Sequence, residues 1–179
     1  MNVSKETNKL VLTAMMLSIA IIVQFLGKNI PQINQVFVGP LINAIILITV
    51  YYAGLKYGIL IGALTPLMAF LVGQLAAPLA PFIPFISIGN IIYALVFGLL
   101  LQSLRGQVAG IIAGSFLKYI FLYFSATRLI TLFAIDIPPA VVSRLAVAMG
   151  SIQFITALFG GVAALTAIRI LSRRNVRAF

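Results

Sequence analysis

Through its second half this chain repeats apolar stretches separated by only one or two charges, then ends on Arg169, Arg173, Arg174 and Arg177. A hydrocarbon slab roughly 30 Å thick takes about 20 apolar helical residues to cross, and soluble domains rarely repeat such runs. The pattern reads as membrane spans closed by a basic tail on the cytoplasmic side. Residues are 63% hydrophobic and 8% charged, where a soluble domain carries about 25% charged residues. Lipid is the expected solvent, and the rare polar residues carry the information about function.

The expected fold is all-α: an integral membrane protein forming one compact bundle of six transmembrane helices over residues 1–179. Spans are placed at about 10–26, 36–53, 59–73, 85–101, 108–127 and 148–168. The start resembles a signal peptide, with Lys5 and Lys9 ahead of an apolar core. It lacks a small-x-small cleavage site, so a retained first span is expected. Between Ser125 and Gly150 two readings stand. Either the flanking helices run on past the membrane, or a short helix lies at its surface, with Asp136, Pro138 and Pro139 making the turn.

Orientation follows from the basic residues. With both termini cytoplasmic, the inner side holds Lys5, Lys9, Lys56, Arg105 and the terminal arginines, and the outer side holds Lys28, Arg128 and Arg144. That asymmetry obeys the positive-inside bias. The outer segment Gln74 to Pro84 is uncharged and carries Pro78, Pro81 and Pro84. Proline fixes φ, so this segment reads either as a stiff cover over an apolar cavity or as a loop in the lipid interface.

Several chemistries are excluded. There is no cysteine and no histidine, hence no disulfide, thiolate, zinc site or histidine acid–base pair, and no metal site is expected. The net charge of +10 is scattered at span ends rather than gathered on one face, which argues against nucleic acid. With only two carboxylates, a small membrane-embedded enzyme would be left with a Ser115–Lys118 pair and no recognisable oxyanion hole, so no catalytic residue is expected. A self-contained carrier or channel is the other alternative, but coupled carriers usually need mid-membrane acids.

Polar side chains at bilayer depth are costly unless paired or facing water. Lys118 lies near mid-depth of the fifth span. It reads either as a partner for a ligand carboxylate or other acceptor, or as a lysine that snorkels or bonds to carbonyls and amides. Asn43, Asn90 and Gln153 sit inside apolar spans, and Gln24 near the outer end of the first. Their amides suit a heterocyclic or amide-bearing ligand, or else bridge helices. Tyr119 and Tyr123 are placed to stack on a ring or to pack their own helix. Arg128 and Arg144 give the outer mouth a positive potential, or pair with Asp136 and lipid phosphate.

Six short spans with a basic tail resemble the substrate-binding S components of energy-coupling factor (ECF) vitamin transporters. The likeness is carried by Val38-Gly39-Pro40-Leu41-Ile42-Asn43-Ala44 opening the second span and Pro84-Phe85-Ile86-Ser87-Ile88-Gly89-Asn90 opening the fourth. The last span adds Gln153-Phe154-Ile155-Thr156-Ala157-Leu158-Phe159-Gly160-Gly161. The resemblance implies a high-affinity binding subunit in a prokaryotic plasma membrane that captures a small water-soluble vitamin or precursor at the outer face. A membrane coupling subunit and two cytoplasmic ATPases would drive release, so the chain itself binds no cofactor and ATP is used by its partners. Consistently, the sequence has no Gly-x-x-x-x-Gly-Lys-Ser/Thr loop. In the family, small residues spaced four apart on the first helix dock the coupling subunit. Ala14 and Ser18 match here, with serine replacing the usual second alanine. Lys118 and the basic rim point to a carboxylate-bearing compound such as pantothenate or nicotinate, with pyridoxine, a thiamine precursor, riboflavin and folate left open.

Overall fold

Gly54 sets a sharp turn in the chain path. Its φ of 105° is open to glycine and strained for other residues, and it lets two helices meet with no intervening loop. Its N–H closes on the carbonyls of Thr49 and Val50. The third helix therefore begins at Leu55 rather than near Ile59, and the short inner connection expected around Lys56 is already helical. The computed structural model describes residues 3–29, 37–129, 132 and 145–173.

Among those residues there are six α-helices and no strands: α1 (Val3–Asn29), α2 (Gly39–Ala53), α3 (Leu55–Leu71), α4 (Ile83–Leu99), α5 (Leu104–Phe124) and α6 (Ser151–Arg173). Four stretches, 4–29, 77–99, 104–128 and 145–173, are long and apolar enough to cross a membrane. The other two, α2 and α3, have 15 and 17 residues, a rise of roughly 22–26 Å at about 1.5 Å per residue.

The proline-rich stretch after α3 is a 3-10 helix, Ala77–Phe82, that runs directly into α4. At its far end α5 loosens into a π turn, Ser125–Leu129, and a helical turn at 145–148 precedes α6. Both flanks of the segment between Ser125 and Gly150 are thus helical where they are described. Asp136, Pro138 and Pro139 lie outside the described residues.

The centre of the bundle is α2, which packs on α1, α3, α4 and α6. Ile46, Leu47, Ile61, Tyr93, Phe97, Ala157 and Ala164 are buried there. A second cluster joins Phe82, Leu122, Ala126, Leu145 and Met149 around the proline-rich turn. Outward faces are apolar too: Leu99 and Phe159 are 70% and 64% exposed, the pattern of helices solvated by lipid tails rather than water. In lipid, close approach at small residues replaces hydrophobic drive as the source of helix packing. A Cβ at Gly160 would meet the Pro40 carbonyl at 2.6 Å, and one at Gly110 would meet Phe97 Cα at 3.0 Å. The glycine faces of α5 and α6 are therefore used inside the bundle.

One polar contact follows from a helix defect. Pro66 lies inside α3 and has no N–H, so the carbonyl of Gly62 loses its helical donor. Asn90 Nδ2 donates to that oxygen at 3.1 Å, and to Thr65 Oγ1 at 3.4 Å. The α4 amide thus repairs the α3 ladder. A Cβ at Gly62 would stand 3.2 Å from Asn90 Cβ, so the glycine permits the approach that makes the bond.

Candidate functional site

At the end of the bundle away from Val3 and Arg173, the helices enclose a cavity of about 470 Å³, inside the range of small-ligand sites. Every helix contributes. Gln24 comes from α1, Val38, Ile42 and Asn43 from in and just before α2, Thr65, Pro66 and Ala69 from α3, Asn90 from α4, Lys118 from α5, and Gln153 and Thr156 from α6. Gln74, Leu75, Ala76, Pro78 and Leu79, at the proline-rich turn, line it too, as do Leu145 and Met149, which pack in one cluster with Leu79 and Phe82. That turn lies against the cavity, as the covering reading of its prolines requires.

Five polar residues singled out from sequence, Gln24, Asn43, Asn90, Lys118 and Gln153, share this one space. Lys118 is only 3% exposed. Its ammonium donates to Asn43 Oδ1 at 2.6 Å and lies 5.6 Å from the centroid of the Tyr93 ring. Tyr93 is itself fixed, its hydroxyl donating to the Ala157 carbonyl at 2.7 Å. Gln24, also 3% exposed, donates from Nε2 to the Thr65 carbonyl at 2.9 Å. Its Oε1 has no partner among the described residues.

Other expected residues fall elsewhere. Tyr119 and Tyr123 do not line the cavity. One helical step turns a side chain by about 100°, so the residue after Lys118 faces a different way. Tyr119 instead stands 6.1 Å from Phe154 and 6.0 Å from Tyr123, ring centre to ring centre, in an aromatic row between α5 and α6, and Tyr123 is 47% exposed. Arg128 is exposed on the π turn, away from the lining. Arg144 lies outside the described residues. Ser115 is fully buried and also off the cavity.

Ala14 and Ser18 are exposed on α1, beside the exposed Val11, Met15 and Ile22. The Ser18 hydroxyl donates to the Ala14 carbonyl at 2.9 Å, so the serine presents an internally satisfied, small surface. At the same end as the termini, Glu6 binds Lys56 at 2.7 Å, accepts from the Tyr57 hydroxyl at 2.9 Å and meets Lys9 at 3.4 Å. It ties α1 to α3 at the opposite end from the cavity, and it is the only carboxylate side chain among the described residues.

Sequence reasoning missed the lining residues Thr65, Pro66, Met149 and Thr156. Most are apolar or small and carry no mark that separates a cavity wall from a packed core. Pro66 was the exception, since a proline inside an apolar run signals an orphaned carbonyl needing a donor nearby.

No curated protein and no solved structure matches the chain. A family model, described as the substrate-specific component of ECF transporters, matches residues 8–172. That family is a transport component rather than an enzyme. An apolar bundle with a polar-lined cavity at one end, matched over that length, belongs to the substrate-specific components of ECF transporters.

Proposed function

We propose that this protein is the high-affinity binding subunit of an ECF-type importer for a small water-soluble vitamin or vitamin precursor. The observation that carries the reading is the cavity itself. It gathers amides and a lysine from α1, α2, α4, α5 and α6 at one end of an otherwise apolar molecule, inside a family of substrate-specific components.

In this reading all six helices cross a prokaryotic plasma membrane with both termini in the cytoplasm, and the cavity faces outward. Thr65, Asn90, Gln153 and Gln24 hold the ligand's polar groups, and the apolar wall of Val38, Ile42, Leu79 and Met149 holds its carbon skeleton. The chain binds no nucleotide. ATP hydrolysis by two cytoplasmic subunits, passed through a membrane coupling subunit, moves the ligand on. Ala14 and Ser18 form the place where that coupling subunit sits, because two small exposed residues one turn apart let another helix come close.

Isothermal titration of the purified protein in detergent against a panel of vitamins tests the reading. The expected result is one compound bound at a 1:1 ratio with submicromolar affinity. Weak or absent binding of every vitamin and precursor would refute it.

A further inference from the structure

Among the described residues that line the cavity, Lys118 and Gln24 each keep unused hydrogen-bonding capacity, one as donor and the other as acceptor. Lys118 is an ammonium with three N–H donors, and its hydrogen bond to Asn43 uses one. The face of Tyr93 adds a diffuse negative potential, but neither partner carries a charge. Glu6, the only carboxylate side chain described, is occupied at the other end of the bundle by Lys56, Tyr57 and Lys9. A buried cation without an anion is costly, and proteins that retain one usually supply the counter-charge from elsewhere. Gln24 presents the complementary case. Its Nε2 is held by the Thr65 carbonyl, which fixes the amide and leaves Oε1 buried without a donor among the described residues.

We infer that the ligand is an anion: a compact carboxylate-bearing molecule that also carries an N–H or O–H donor, its acid group on Lys118 and its donor on Gln24 Oε1. Asn43 is a positioning residue. It aims the ammonium into the cavity and is itself held in place by the tight α2–α6 contact, where a Cβ on Gly160 would come within 2.5 Å of Asn43 Cβ. Val38, Ile42, Ile86, Met149 and Ile152 supply apolar wall in the same cavity. This assigns the ligand's charge and one of its donors, whereas amides alone would serve a neutral ring equally well. The inference rests on the reading of this cavity as the seat of the transported solute, and it deepens that reading.

Matched neutral and acidic probes separate the two. The full-length protein in detergent is titrated calorimetrically with nicotinate against nicotinamide and pantothenate against pantothenol, and with biotin, folate, riboflavin, pyridoxine and thiamine. The expected result is that a carboxylate is the tightest ligand and that its amide or alcohol counterpart binds at least about 30-fold more weakly. Lys118→Met should cost that carboxylate a similar factor, while Lys118→Arg, which keeps the charge, should retain part of the affinity. Gln24→Leu should weaken binding by about tenfold without changing the preference for acid over amide. Circular dichroism checks that each variant is folded, and the comparison of acid with amide on the unmodified protein needs no variant at all. A neutral or cationic compound as the tightest ligand, no carboxylate bound, or an unchanged Kd in a folded Lys118→Met variant would overturn the inference. A tightly bound neutral vitamin would do so while leaving the transport reading intact. Accumulation of a carboxylate by vesicles containing this chain alone would instead overturn the transport reading and leave the anion site standing.

Discussion

Asn90→Ala is expected to destabilise the bundle chiefly by orphaning one backbone oxygen, the Gly62 carbonyl that Pro66 cannot serve. Interhelical side-chain bonds in membranes are worth about 0.6 kcal/mol on average and up to about 1.7. Leaving a buried acceptor unsatisfied adds about 1–3 kcal/mol. The Thr65 hydroxyl also donates to this oxygen, but at 3.4 Å it is a longer and weaker bond than the 3.1 Å amide contact and offsets only part of its loss. A loss of about 2 kcal/mol is therefore expected, beyond whatever the truncated side chain leaves as empty space. Pro66→Ala gives the backbone back its N–H, so in that background the Gly62 carbonyl has a helical donor and no longer needs Asn90. The space left by truncation is the same in both backgrounds and cancels in a double-mutant cycle. The expected coupling is about 1–2 kcal/mol, read from unfolding in a denaturing detergent followed by circular dichroism. The chain has no tryptophan or cysteine, so indole fluorescence and thiol dyes are not usable probes. An equal cost for Asn90→Ala in both backgrounds would refute the reasoning.

Other substitutions separate binding from assembly and packing. Ala14→Leu or Ser18→Leu should reduce co-purification with the coupling subunit and leave the ligand Kd unchanged, since both residues are exposed on α1 and off the cavity; weakened binding would move them into the site. Gly160→Val should destabilise by roughly 1–3 kcal/mol through overpacking against Pro40 and Asn43, seen as a lower midpoint in the same unfolding assay, and a tolerated valine would contradict the close α2–α6 approach. Tyr123→Ala should leave ligand affinity within about twofold, because its ring is exposed and away from the lining; titration calorimetry decides.

Much of the candidate cavity's polar lining was legible because polar groups inside apolar helices are expensive and therefore rare. Lys118, Asn43, Asn90, Gln24 and Gln153 stood out against their neighbours for that reason, and the fold brings all five to one cavity. What the sequence left hidden were pairings across helices. Nothing in the chain says that Lys118 donates to Asn43 or that Asn90 serves Gly62, because those contacts depend on how α2, α3, α4 and α5 are rotated about their axes. The same dependence on rotation left Tyr119 and Tyr123 with two readings, stacking on a ligand ring or packing their own helix, and the structure turns them towards Phe154 and the exterior. Helix ends were legible only approximately. Gly54 bends the chain without a loop, so α3 starts at Leu55, inside the gap left between the expected spans 36–53 and 59–73. The apolar lining around the start of α6, Met149 and Ile152 among it, looks like any other core until the empty space beside it is seen.

Vesicle uptake tests the central claim most directly: this chain holds the solute, and other subunits supply the work. The purified protein is reconstituted alone and together with an ECF coupling subunit and its two ATPases, and accumulation of the bound radiolabelled vitamin is followed with and without ATP inside. Accumulation is expected only in the complete, ATP-loaded vesicles. Concentrative uptake by the chain alone, or uptake by the complete system that is indifferent to ATP, would contradict the account.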